Sequence, residues 1–102
     1  MSKSEAMAAV PHPSDFIAEE MLARGWCTNE LAERMAADQP KPEEEYLIWR
    51  MALDLYDCAG PEQINCRIGQ RMADALSRAF GVSAAFFLNL EAAWLRSKGI
   101  AA

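Results

Sequence analysis

Apolar residues recur along the chain at intervals of three and four, the spacing of one helix face, and nowhere alternate over a strand's length. Proline and glycine cut this pattern into five segments. Pro11, Pro13 and Ser14 set up a first helix over residues 15–24, with Ser14 as its N-cap. Phe16, Ile17 and Met21 form its apolar side, and Gly25 ends it. A second helix is predicted over 28–37, where Leu31, Ala32, Met35 and Ala36 share a face, before the break Asp38-Gln39-Pro40-Lys41-Pro42. The third starts at Pro42 or Glu43, with Glu43, Glu44 and Glu45 at the positive end of its dipole, and stops at Gly60-Pro61. Residues 61–67 read as a connector with one short helical turn. The fourth helix covers 69–80, with Ile68, Met72, Leu76, Ala79 and Phe80 on one side and Gln70, Arg71, Asp74 and Arg78 on the other. Gly81 closes it. Ser83 caps the fifth, Val82 is placed to staple onto Phe87, and Phe86, Phe87, Leu90 and Trp94 continue it to Gly99. The expected fold class is all-α: a compact five-helix bundle with an elongated third helix, one domain over 11–102 and a loose arm over 1–10.

The third segment departs from an ordinary amphipathic helix. At about 100° per residue, Glu43, Arg50, Asp54 and Asp57 fall in an arc of roughly 60°. The rest is greasy, in two stripes: Ile48, Met51, Leu55 and Ala59 on one, and Tyr46, Trp49, Leu53 and Tyr56 on the other. Two readings follow. Either this is the central helix, enclosed by the other four, or its aromatic face docks on another chain. Both leave only the narrow acidic strip in water, with Ile48, Met51 and Leu55 buried.

Length and composition (102 residues, 52% hydrophobic, 25% charged) suit one folded domain with one core. The net charge of −5 is unevenly spread: −3 over residues 1–36, −5 over 37–66 and +3 over 67–102. Nucleic-acid binding depends on neutralising phosphates, and the acidic middle opposes it. Cys27, Cys58 and Cys66 form no Cys-x-x-Cys pair and leave an odd thiol, so reduced cysteines are expected and neither disulfides nor zinc. The start of the chain has no secretory signal pattern, and the longest apolar run, 84–95, is broken by Asn89 and Glu91. A cytoplasmic protein without membrane contact is expected. His12, the one histidine and the base that any Ser-His or Cys-His nucleophile pair would need, lies between two prolines beside the arm and far from the cysteines in sequence. Glu19-Glu20 and Glu43-Glu44-Glu45 read as solvated helix residues, the six methionines as packing residues, and no glycine-rich phosphate loop is present. The expectation is a non-enzymatic protein without cofactor or metal.

Pro11-His12-Pro13-Ser14-Asp15-Phe16-Ile17 resembles the Pro-His-Pro-Gly-Glu-Ile-Leu opening of HigA-like antitoxins, helix-turn-helix proteins of the Cro/repressor (XRE) superfamily. Residues 23–33, with Gly25, Trp26, Leu31 and Ala32, look like that family's first turn and second helix. Residues 78–94, with Phe80-Gly81 and Phe87-Leu88-Asn89-Leu90 in register, look like its closing segment. Together these cover about half the chain. The resemblance implies a lambda-repressor-like five-helix domain, usually a homodimer, that binds operator DNA and a partner toxin. The centre departs from the pattern. The family's polar recognition helix, Ile-Ser-x-Ile-x-Asn-Gly, is replaced by residues 38–67, a rewriting that fits phage or prophage genes. Thr28 stands where the family has a DNA-contacting glutamine, and Cys27 where it has a Ser/Thr cap.

Two functions therefore stand side by side. In the first, the chain is a DNA-binding regulator of antitoxin type, contacting operator DNA through Thr28, Asn29, Arg34, Gln63, Asn65, Arg67 and Arg71. In the second, it is a degenerate helix-turn-helix scaffold, such as a phage-type inhibitor or accessory factor, that binds a protein through Tyr46, Trp49, Leu53, Tyr56 and Trp94. A homodimer is compatible with both.

Overall fold

A computed structural model describes residues 10–59 and 67–99. Among these residues the fold is all-α, with α1 at Pro13–Arg24, α2 at Thr28–Ala36, α3 at Pro42–Ala59, α4 at Gly69–Phe80 and α5 at Ala84–Ser97. Residues 1–9, 60–66 and 100–102 lie outside the described residues, and with them all but Val10 of the expected arm and all but Arg67 of the expected connector.

The first helix begins earlier than expected, and its cap is different. Pro13 takes the first helical position, where no N–H is needed. The cap is His12, not Ser14: the Ser14 N–H donates to His12 Nδ1 at 3.1 Å. An imidazole nitrogen can satisfy an orphan helix N–H as a Ser or Asp oxygen does. At the other end Gly25 is left-handed (φ 70°), its N–H reaching Leu22 O and the Trp26 N–H reaching Met21 O. That double closure turns the chain sharply into α2. Cys27 caps α2 with backbone alone, and α2 ends one residue short of expectation, at Ala36. The Ser83 hydroxyl caps α5 as predicted, accepting from Phe86 N at 3.2 Å.

The core centres on α2 and α4. Leu31, Ala32, Met35 and Ala36 of α2 are almost wholly enclosed, as are Ala73, Ala75 and Leu76 of α4 and Phe87 of α5. Buried alanines on both α2 and α4 let the two axes approach closely. Arg78, placed on the solvent side by its spacing, reaches the Met35 carbonyl at 2.7 Å. It supplies a donor and a positive charge to the C-terminal end of α2, where carbonyls lack helical partners.

The largest correction concerns α3. It is not the central helix: it packs chiefly against α2, which has α4 as its other neighbour. A helix on the rim of a bundle can bury only one of two apolar stripes, and here the aromatic stripe is inside. Trp49, Leu53 and Tyr56 are 4%, 6% and 3% exposed, while Leu47, Ile48, Met51 and Leu55 are 62%, 41%, 66% and 65% exposed. The expected burial of Ile48, Met51 and Leu55 is therefore overturned.

Candidate functional site

The aliphatic side of α3 is the most unusual surface of the molecule. Four of the six large, exposed hydrophobic residues among those described lie on this one helix. Taking Met51 as reference, helical geometry places Leu47, Ile48 and Leu55 within about 60° of it on either side. They form a strip about two turns long, with Glu44 at its N-terminal end. Scattered surface leucines need no explanation, but a contiguous apolar strip does.

The strip has two unlike edges. On one side lie Glu43, Arg50 and Asp54, with Arg50 bonded to Asp54 at 2.9 Å. Beyond Asp54 and Leu53 a cleft of about 300 Å³ opens toward α1, lined by Ile17, Met21, Leu22 and Trp26. On the other side Ile48, Ala52 and Leu55 slope into a shallow groove of about 330 Å³ whose far wall carries Arg67, Arg71 and Met72. The helix thus presents an apolar crest with a mainly acidic edge and an arginine-bearing edge.

The residues expected to contact a protein have other roles. Trp49, Leu53, Tyr56 and Trp94 are buried and Tyr46 is half-buried, so this set offers little free surface. Periodicity revealed two apolar stripes on α3 but not which of them the bundle would cover.

The residues expected to contact DNA are dispersed. Thr28 is half-buried at the α1 cleft, and Asn29 is exposed. Arg34 pairs with Glu30 at 2.8 Å and lies over the Trp26 ring at 4.3 Å. Arg71 pairs with Glu45 at 2.7 Å across helices and lies over Trp49 at 5.5 Å. The structure brings Arg67 and Arg71 together on the α3–α4 groove. Gln63 and Asn65 lie outside the described residues.

Sequence reasoning missed a buried polar chain. His12 and Glu91 are only 2% and 7% exposed. The Tyr56 hydroxyl donates to Glu91 Oε2 at 3.1 Å and lies 3.4 Å from His12 Nε2. The Ile68 N–H also donates to Glu91, at 2.9 Å. Because Nδ1 accepts from Ser14 N, the His12 proton sits on Nε2, facing the Tyr56 oxygen. Burial pushes the His12 pKa below its ordinary value, partly opposed by the negative charges of Glu91 and Asp15. Trp94 meets the imidazole edge-on, with centroids 4.7 Å apart. This cluster ties the start of α1, the last turn of α3, the entry to α4 and the face of α5 together. The available signal was Glu91 itself, a carboxylate within an apolar run and one turn before Trp94.

Among the described residues no three His, Cys, Asp or Glu side chains gather as metal ligands, and no helix is long and apolar enough to cross a membrane. Comparison with known proteins finds no matching family model, curated protein or solved structure.

Proposed function

We propose that the chain is a non-enzymatic protein-binding module, a HigA/XRE-like helix-turn-helix scaffold whose third helix serves protein contact in place of groove reading. The observation that carries this is the wet aliphatic strip Leu47–Ile48–Met51–Leu55 on a helix that is otherwise firmly seated. Leaving about four large aliphatic side chains in water forgoes several kcal/mol of burial, at roughly 25 cal/mol per Å². A surface of that kind is characteristic of a binding face.

The operator-binding reading draws less support. Where the resemblance would put a recognition helix, α3 turns outward aliphatic side chains with Glu43, Glu44 and Asp54 around them. Such a face can touch a thymine methyl but offers few donors to base edges, and its carboxylates repel phosphate. Arg34 and Arg71 are already engaged by carboxylates. Each exposed pair is worth only ~0–1 kcal/mol, but its acid stays beside any phosphate that displaces it.

A photo-crosslinking residue at position 51, activated in the producing cells, tests the reading. Protein adducts at position 51, absent from a control at exposed Asp74, are expected. No adduct, together with a salt-dependent gel shift on the chain's own upstream DNA, would return the function to operator binding.

A further inference from the structure

Resting on that protein-binding reading, we infer that the partner presents a cationic amphipathic helix. It lies along the acidic edge of α3, with an apolar anchor in the α1–α3 cleft and a lysine or arginine, seven residues away, between Glu33 and Glu43. Three observations converge. The first is shape. The cleft beside the C-terminal half of α3 holds about 300 Å³ between Ile17, Met21, Leu22, Trp26 and Leu53. That is enough for a large aliphatic or aromatic side chain, the usual anchor of a helix laid in a groove. Leu22 stands 83% exposed at its lip, so the apolar surface continues from the cleft outward.

The second is charge. At the other end of the same edge, Glu33 of α2 and Glu43 and Tyr46 of α3 line an open pocket of about 510 Å³. Among the described residues neither carboxylate forms an ion pair, and the neighbouring Arg34 is held by Glu30. Asp38 and Glu44 against Lys41 add a net −1, so the pocket and its rim carry −3. Two free carboxylates beside an aromatic ring suit a lysine or arginine and repel an acidic chain or a phosphate. Midway along the edge, Arg50 and Asp54 already neutralise each other, which leaves the preference for a cation to this end.

The third is spacing. Tyr46 and Leu47 line the acidic pocket, and Leu53 and Asp54 line the apolar cleft. Each pair is offset by seven residues, a rise of about 10 Å on nearly the same side of α3. Residues i and i+7 of a partner helix lie two turns apart on one face and have the same rise, so one straight helix reaches both pockets. The length of a lysine or arginine side chain covers the remaining distance to Glu43. Between the two pockets the apolar face of the partner rests on Leu47 and Met51, which covers the near flank of the aliphatic crest.

Selection on the full chain from a displayed library of amphipathic helices of about 16 residues tests this. The library is randomised at one apolar position and at the positions seven residues to either side. Enrichment of leucine, phenylalanine or tryptophan at the first, and of lysine or arginine at one of the others, is expected. The selected peptide is then titrated by fluorescence anisotropy. Glu33→Gln with Glu43→Gln is expected to weaken it about tenfold. Ala18→Trp, which fills the cleft from an exposed position of α1, is expected to weaken it more than ~30-fold, and Leu22→Glu on the lip about tenfold, all with unchanged helical spectra. Enrichment of acidic residues, or of no charge, beside the anchor overturns the assignment. So does a selected peptide indifferent to these variants, or a library that yields no binder. The crosslink at position 51 separates the two levels. Protein adducts there without a library binder leave the protein-binding reading standing, and neither adducts nor a binder removes both.

Discussion

Replacing Tyr56 by phenylalanine removes one oxygen from the centre of the buried polar chain and changes nothing else in shape. The consequences follow from the geometry. Glu91 loses the hydroxyl donor at 3.1 Å and keeps the Ile68 N–H at 2.9 Å. The His12 Nε2–H loses its oxygen neighbour at 3.4 Å. At that length the His12 contact is weak, so most of the effect comes from the carboxylate. A hydrogen bond to a charged group contributes about 1.5–3 kcal/mol, and Glu91 is too enclosed for water to replace the donor freely. The expected destabilisation is about 2–3 kcal/mol. For a domain of this size that corresponds to a fall in Tm of roughly 10–20 °C. Urea unfolding followed by circular dichroism at pH 7.5 measures it, with an unchanged m-value showing that the same surface unfolds. The double variant Tyr56→Phe, Glu91→Gln should cost less than the sum of the singles, because a neutral amide tolerates the missing donor better. A Tyr56→Phe variant within ~0.5 kcal/mol of wild type would contradict this, since it would mean that another donor replaces the hydroxyl at Glu91 in the folded protein.

The lowered pKa of His12 means that near its ordinary value of 6.5 the unfolded chain binds more protons than the folded one. Its contribution to stability is fully present above pH 6.5 and is lost as pH falls through the lowered folded value. A pH series of urea midpoints should therefore dip below 6.5, and His12→Asn, which keeps a cap, should flatten that dip. Ser83→Ala removes the acceptor for Phe86 N and should cost ~1 kcal/mol in the same assay, while Ser14→Ala should cost less than Ser83→Ala because His12 is the cap of α1. Gly25→Ala should cost ~1–2 kcal/mol from its left-handed backbone alone, since a Cβ there meets nothing within 4 Å. A neutral result would show that the turn into α2 relaxes.

Helix boundaries were legible because they are set locally. Gly25, Pro42, Gly81 and Ser83 act through their own dihedrals and caps, and each stands where its chemistry predicted. What lay beyond the sequence was long-range. Nothing in the spacing of α3 says which apolar stripe the bundle covers, because that depends on where α2 and α4 sit. Trp49, Leu53 and Tyr56, which the spacing left open as core or as partner contacts, belong to the core, and Met51 and Leu55, expected inside on either reading, face water. The burial of His12 was not legible for a related reason: nothing in the residues around it shows that the turn it caps carries it against Tyr56, Trp94 and Glu91. Arg34 and Arg71 looked like phosphate contacts because their acidic partners are a helical turn or a helix away.

On the proposed reading another protein surface covers the aliphatic side of α3. Hydroxyl-radical footprinting in the producing cells tests it most directly, with Met51 as reporter and Leu22, 83% exposed on α1, as control. Met51 is expected to oxidise several-fold more slowly in wild type than in Leu55→Glu, while Leu22 reacts equally in both. Equal and rapid oxidation of Met51 in the two proteins would contradict it.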